Sequence, residues 1–155
     1  MKELAEALRE LHRRLVERVR RDEERQRGVV IGAQEFLPLL MSDARFAWLH
    51  ALSELIVDLE VFLKADPSPT EDEAAAVRAE VERLITAPRF PETASAFTQR
   101  YCRYAAEDMQ VAAAHASVKQ LAERLPEAAS VDEAQVLHER HRWAEARRHR
   151  RIRPT

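Results

Sequence analysis

Apolar positions in this chain recur at three- and four-residue intervals, the spacing of helices rather than of strands. The clearest stretch is 46–63, FAWLHALSELIVDLEVFL, in which thirteen of eighteen residues are apolar. Wound as a helix, Trp48, Leu49, Leu52, Leu55, Ile56, Leu59, Phe62 and Leu63 occupy one arc of roughly 140°, the stripe of a core-facing helix. His50, Glu54 and Asp58 follow at four-residue steps on the other side, with Phe46, Val57 and Val61 among them. A helix apolar on one side and mixed on the other has two partners to satisfy: its own core, and a second helix or subunit. The mixed face is therefore the expected surface for self-association.

The same reading extends along the chain. A first helix is expected over 3–27, with Leu4, Leu8, Leu11, Leu15 and Val19 on one stripe. Beyond Val19 the run RRDEERQR has no apolar side chain, so this end reads as a solvated overhang held by local ion pairs. Gly28 sits where a helix C′ residue belongs, and Val29-Val30-Ile31 reads as an extended crossing over apolar surface. A short helix over 35–41 follows, and Ser42 or Asp43 caps the central helix, which must stop before Pro67 and Pro69. Thr70 and Glu73 make a capping box for a helix over 71–86 that buries Ala74, Val77, Val81, Leu84 and Ile85. Pro88 and Pro91 bracket a loop, Thr93 or Ser95 opens a long helical segment to Leu125, and Ser130 caps a last helix over 131–148. The expected fold is all-α, an antiparallel helical bundle of about four long helices plus one or two short ones. It forms a single domain over 1–138, with 139–155 as a basic helix end and tail.

Composition removes several function classes. Glycine occurs only at 28 and 32, too rarely for hairpins, phosphate-cradling loops or dinucleotide folds. The single Cys102 excludes an internal disulfide and fits a reducing compartment. The N-terminus is charged from Lys2 and shows no signal peptide, and 46–63 carries four ionisable groups, so a membrane helix is not expected. The expected location is cytoplasmic.

Charge is balanced overall at −2 but unevenly placed. Residues 28–138 hold nine basic and eighteen acidic side chains, whereas 139–155 hold seven arginines against Glu139 and Glu145. Such a tail, with Trp143 available for stacking, could grip phosphate backbones. The near-zero net charge disfavours nucleic acid, however, and a tail folded onto acidic helices such as 71–82 is the expectation.

Chemistry-bearing residues gather in 95–125. Phe97, Tyr104, Val111, Val118 and Leu125 recur every seven residues, as do Tyr101, Asp108, His115 and Ala122. In a continuous helix Asp108 and His115 lie at the centre of the apolar face, where each needs a partner, and Tyr104 reaches Asp108 one turn away. Tyr101, Tyr104, Asp108 and His115 are thus the candidate ligand-binding set. The competing readings make His115 a hydrogen-bonded core histidine and Asp108 the cap of a new helix after a break at Glu107.

Metal candidates are the His-x-x-x-Glu pairs His50–Glu54 and His141–Glu145, with His138 one turn before His141. No Glu-x-x-His of the di-iron bundles occurs, and solvated ion pairs are the commoner meaning of this spacing. Cys102 has no histidine at helical spacing and no serine stands in a Gly-x-Ser-x-Gly elbow, so no catalytic residue and no cofactor is expected. The functional expectation is a non-catalytic protein that self-associates as a homodimer or meets a protein partner. The alternatives are a metal- or small-molecule-binding bundle using His115, an enzyme among them, and nucleic-acid binding through the arginine-rich tail.

Overall fold

The computed structural model describes residues 1–65, 68–88 and 93–127. Within them the chain forms α1 (Lys2–Arg27), α2 (Ala33–Ser42), a 3-10 helix (Ala44–Leu49), α3 (His50–Ala65), α4 (Glu71–Ile85), α5 (Ala96–Glu107) and α6 (Met109–Ala122), with no strand among the described residues. The fold is all-α. The expected last helix over 131–148, its Ser130 cap and the boundary at 138 lie outside the described residues.

Local signals set most of the ends. Gly28 takes φ +68°, the left-handed conformation that a side chain resists, and its N–H returns to the Glu24 carbonyl to close α1. Asp43 accepts from the Arg45 N–H at 2.9 Å and starts the next segment. That segment opens as a 3-10 helix over Ala44–Leu49 and becomes α-helical only at His50, so the single helix expected over 46–63 has two parts. Thr70 and Glu73 form the anticipated reciprocal cap: the Glu73 carboxylate accepts from the Thr70 N–H at 2.9 Å, and the Thr70 hydroxyl accepts from the Glu73 N–H at 3.3 Å.

One boundary differs from the continuous reading. Segment 95–125 breaks at Asp108, whose carboxylate accepts from the N–H groups of Gln110 and Val111 at 2.9 and 3.2 Å and so starts α6 as a new helix. A short acidic side chain satisfies the orphan donors of a fresh N-terminus better than it fits a helix interior. Asp108 is therefore a capping residue and not a group in the middle of an apolar face.

The core forms where α1 packs against α6 and α3, with α4 and α5 closing over α6. Leu8, Leu11, Leu15, Leu52, Leu59, Val77, Val81, Val111 and Val118 have no exposed surface. An aromatic cluster fills the region between the 3-10 helix and α5. Trp48 stacks on Tyr104 with centroids 5.8 Å apart, and Phe97 stacks on Tyr101 at 5.2 Å. Phe46 meets Phe36 of α2 edge-on at 5.4 Å.

The polar end of α1 is not an overhang. Glu23 continues the apolar stripe one turn past Val19 and is only 5% exposed, held by Arg27 at 2.5 Å and Arg45 at 3.1 Å. The Arg20 guanidinium donates to the Ile31 carbonyl at 2.8 Å, and the Ile31 N–H donates to Glu24 at 2.9 Å. These bonds seat the 29–31 crossing on α1. Ile31 is buried, but Val29 and Val30 stay exposed, so only one of the three apolar residues is tucked in. Among the described residues no helix is long and apolar enough to cross a membrane.

Candidate functional site

The four candidate ligand residues separate into two groups. Tyr101 and His115 meet across α5 and α6: the Tyr101 hydroxyl lies 2.5 Å from His115 Nδ1, with ring centroids 5.8 Å apart. Burial pushes the Tyr101 phenol up, with Cys102 beside it adding to the effect, so the hydroxyl keeps its proton. Burial, and then the neighbouring Lys119 charge, hold His115 below the usual histidine value, so the ring is neutral and offers Nδ1 to the phenol as one partner of a hydrogen bond.

Tyr104 and Asp108 belong to a charged cluster built on α1. Burial, and then the charge of Asp22 beside it, push the Tyr104 phenol up, while Arg18 and Arg103 lie over its ring at 5.4 and 5.0 Å. Arg18 and Arg25 both pair with Asp22. Arg18 and Arg21 also reach Asp108, at 3.3 and 3.1 Å. Burial pushes the Asp108 carboxyl up, but the Val111 and Gln110 N–H groups with Arg21 and Arg18 more than offset it, and the group stays ionised. Both acids of this cluster face at least two arginines, so the arrangement is an ion-paired clasp between α1, α5 and α6.

Sequence spacing missed the partners from α1, because Arg18, Asp22 and Asp108 are brought together only by the packing of α1 on α6. It also missed His12, whose Nε2 lies 2.8 Å from the Ser53 hydroxyl of α3. Burial holds His12 below its ordinary value. No periodicity connects two residues on separate helices, and His12 sits one position off the Leu8–Leu11–Leu15 stripe.

The mixed face of α3 is less open than its pattern implies. Phe46 and Asp58 are each only 5% exposed, since α2 packs over Phe46, and Val61 is half-buried. Val57 alone stands out among the expected apolar positions, at 42% exposed. His50 is half-buried with Nε2 enclosed and without a hydrogen-bond partner among the described residues, whereas Glu54 is exposed. Among the described residues no group of three or more His, Cys, Asp or Glu side chains is arranged to hold a metal ion. His138, His141 and Glu145 lie outside the described residues, as do Trp143 and the arginines of 139–155.

Besides Val57, the large apolar side chains exposed among the described residues are Met109 at the start of α6, 85% exposed, and four near α2. Val29, Val30, Leu37 and Met41 all lie in the crossing after α1 or on α2, with exposures of 55, 89, 56 and 67%. Two grooves flank them. One, of about 550 Å³, is bordered by Arg18, Arg21 and Arg25 of α1 and by Val29 and Val30. The other, of about 470 Å³, runs between α1 and α2 over Val16, Ala33, Phe36 and Leu40, with His12 at its edge. Neither touches Tyr101 or His115. No protein-family model, no curated protein and no solved structure matches this chain.

Proposed function

We propose that this chain is a non-catalytic helical-bundle protein that works by protein–protein contact in the cytoplasm, as a homodimer. The bundle reading draws support from the side-chain pairs along α1. Arg9 meets Glu60 and His12 meets Ser53, so numbers rise along α1 as they fall along α3. Arg14 meets Gln110 and Arg21 meets Asp108, which orients α6 in the same sense as α3.

The observation that carries the functional reading is the exposure of Leu37 and Met41, one turn apart on α2, with Val29 and Val30 close by in sequence. Two large apolar side chains side by side on one short helix suit a surface that another protein covers, whereas single scattered ones need no partner. Self-association is the simplest way to cover such a flank. The Tyr101–His115 bond supports a structural histidine, because it gives the buried phenol and Nδ1 of the ring a partner within the fold.

Size-exclusion chromatography with light scattering tests the proposal. At tens of micromolar the expected mass is twice the 17.9 kDa of one chain. A single 17.9 kDa species up to that concentration removes it.

A further inference from the structure

On the α2 flank, projections and a hollow lie side by side. Leu37 and Met41 project outward, 56 and 67% exposed. The groove of about 470 Å³ is lined by Val16 of α1 and by Ala33, Phe36, Leu37 and Leu40 of α2, so Leu37 stands on its wall and Met41 follows one turn on. A surface that carries both a knob and a matching hole is complementary to itself once a second copy is turned about a two-fold axis.

The charges on the rim have the same property. Arg13, Glu17 and Arg20 line the α1 side, alternating in sign at three- and four-residue steps. Arg20 is held by Glu24 and the Ile31 carbonyl. Arg13, paired with Glu10 on its own helix, and Glu17 stay 59 and 40% exposed and can exchange partners. A foreign partner would need its own matched row of charges. A second copy has one already: running the opposite way, it sets its Glu17 against Arg13 and its Arg13 against Glu17. Such rim pairs add little affinity by themselves, but they reject a misregistered partner and fix the register.

We infer that, given the self-association proposed above, two copies join through α2, with Leu37 and Met41 of each entering the groove between α1 and α2 of the other. The partner copy thus completes a site that one chain only half forms. The mixed face of α3 stays outside the interface.

Sedimentation velocity on the full chain, wild type beside Leu37→Asp, Met41→Asp and Val57→Asp, separates this inference from the reading on which it rests. Each of the two α2 substitutions is expected to weaken the dimer by roughly tenfold or more, because buried apolar anchors dominate interface energies. Val57→Asp is expected to leave it unchanged. Leu37→Gln repeats the test without a charge and in a residue that favours helices, with circular dichroism reporting that each variant keeps its fold. A wild-type dimer that survives both α2 substitutions, or that dissociates only with Val57→Asp, overturns the α2 interface and leaves self-association standing. A wild-type monomer at about 100 μM, where even modest interfaces form, overturns the self-association itself.

Discussion

Tyr101 and His115 are fourteen positions apart, yet the Tyr101 hydroxyl lies 2.5 Å from His115 Nδ1. On one continuous helix the same pair would stand about 21 Å apart along the axis. The contact therefore shows that the chain doubles back at Asp108 and that α5 and α6 pack side by side. It also gives a buried phenol and a half-buried imidazole a hydrogen-bond partner each, without any ligand.

Tyr101→Phe is the direct test of that bond. It removes a donor and leaves His115 Nδ1 without its partner, so stability should fall by about 1–2 kcal/mol with helix content unchanged. His115→Leu should also shift the urea midpoint. A binding defect in either variant with an unchanged midpoint would restore the ligand-site reading of this pair.

The pH dependence follows from the direction of two histidine shifts. His115 and His12 both titrate below their ordinary value of 6.5 in the folded chain, mainly through burial. The unfolded chain then binds protons first as pH falls, so their contribution is fully present above about 6.5 and is lost as pH drops through their lower folded values. Urea midpoints between pH 8 and pH 5 should decline, and the decline should be shallower in His115→Leu. A flat profile in the wild type contradicts the assignment.

Asp108 serves both as the cap of α6 and as the partner of Arg18 and Arg21, and two substitutions separate these roles. Asp108→Asn keeps a capping oxygen but removes the charge facing Arg21, 47% exposed, and Arg18, only 14% exposed, for a loss of about 1–3 kcal/mol. Asp108→Ala removes the cap as well, for about 1 kcal/mol more. Thermal melts of the pair measure the difference. Equal losses would mean that the cap contributes nothing.

Leu55 and Leu59 of α3 are 2 and 0% exposed, within the stripe that the sequence marks most clearly. Truncating either to alanine should cost about 2–5 kcal/mol, the range for a cavity that can relax only in part. Chemical denaturation reads this directly, and a loss under 1 kcal/mol at both sites would mean that the core lies elsewhere.

What the sequence showed was local. The Gly28 turn, the Asp43 cap and the Thr70–Glu73 box all depend on neighbours within four residues, and each formed as its chemistry requires. The break at Asp108 was legible only as the competing reading, because the seven-residue pattern keeps its phase across it. Phe97, Tyr104, Val111 and Val118 are core residues whether the helix continues or turns. The polar end of α1 misled for a related reason. Glu23 occupies a stripe position, and its burial depends on Arg45, twenty-two residues away, which leaves no trace in spacing. The α2 flank was overlooked because α2 is short, and exposure of Leu37 and Met41 depends on which of its faces meets α1 and the 3-10 helix.

Hydrogen exchange at two protein concentrations tests the central claim most directly, because it reports both whether copies associate and where. α2 has ten residues, with Pro38 inside it and a glycine as its N-cap, its only side-chain tie at the start being the Glu35 carboxylate on the Gly32 N–H, so its amides should exchange by local opening. A partner that binds only the closed form suppresses that opening by mass action. Raising the chain from about 1 to 100 μM, across the micromolar range of modest interfaces, should therefore slow exchange in residues 33–42, with residues 50–65 unchanged. Exchange in α2 that is independent of concentration, or slowing confined to α3, would contradict the account.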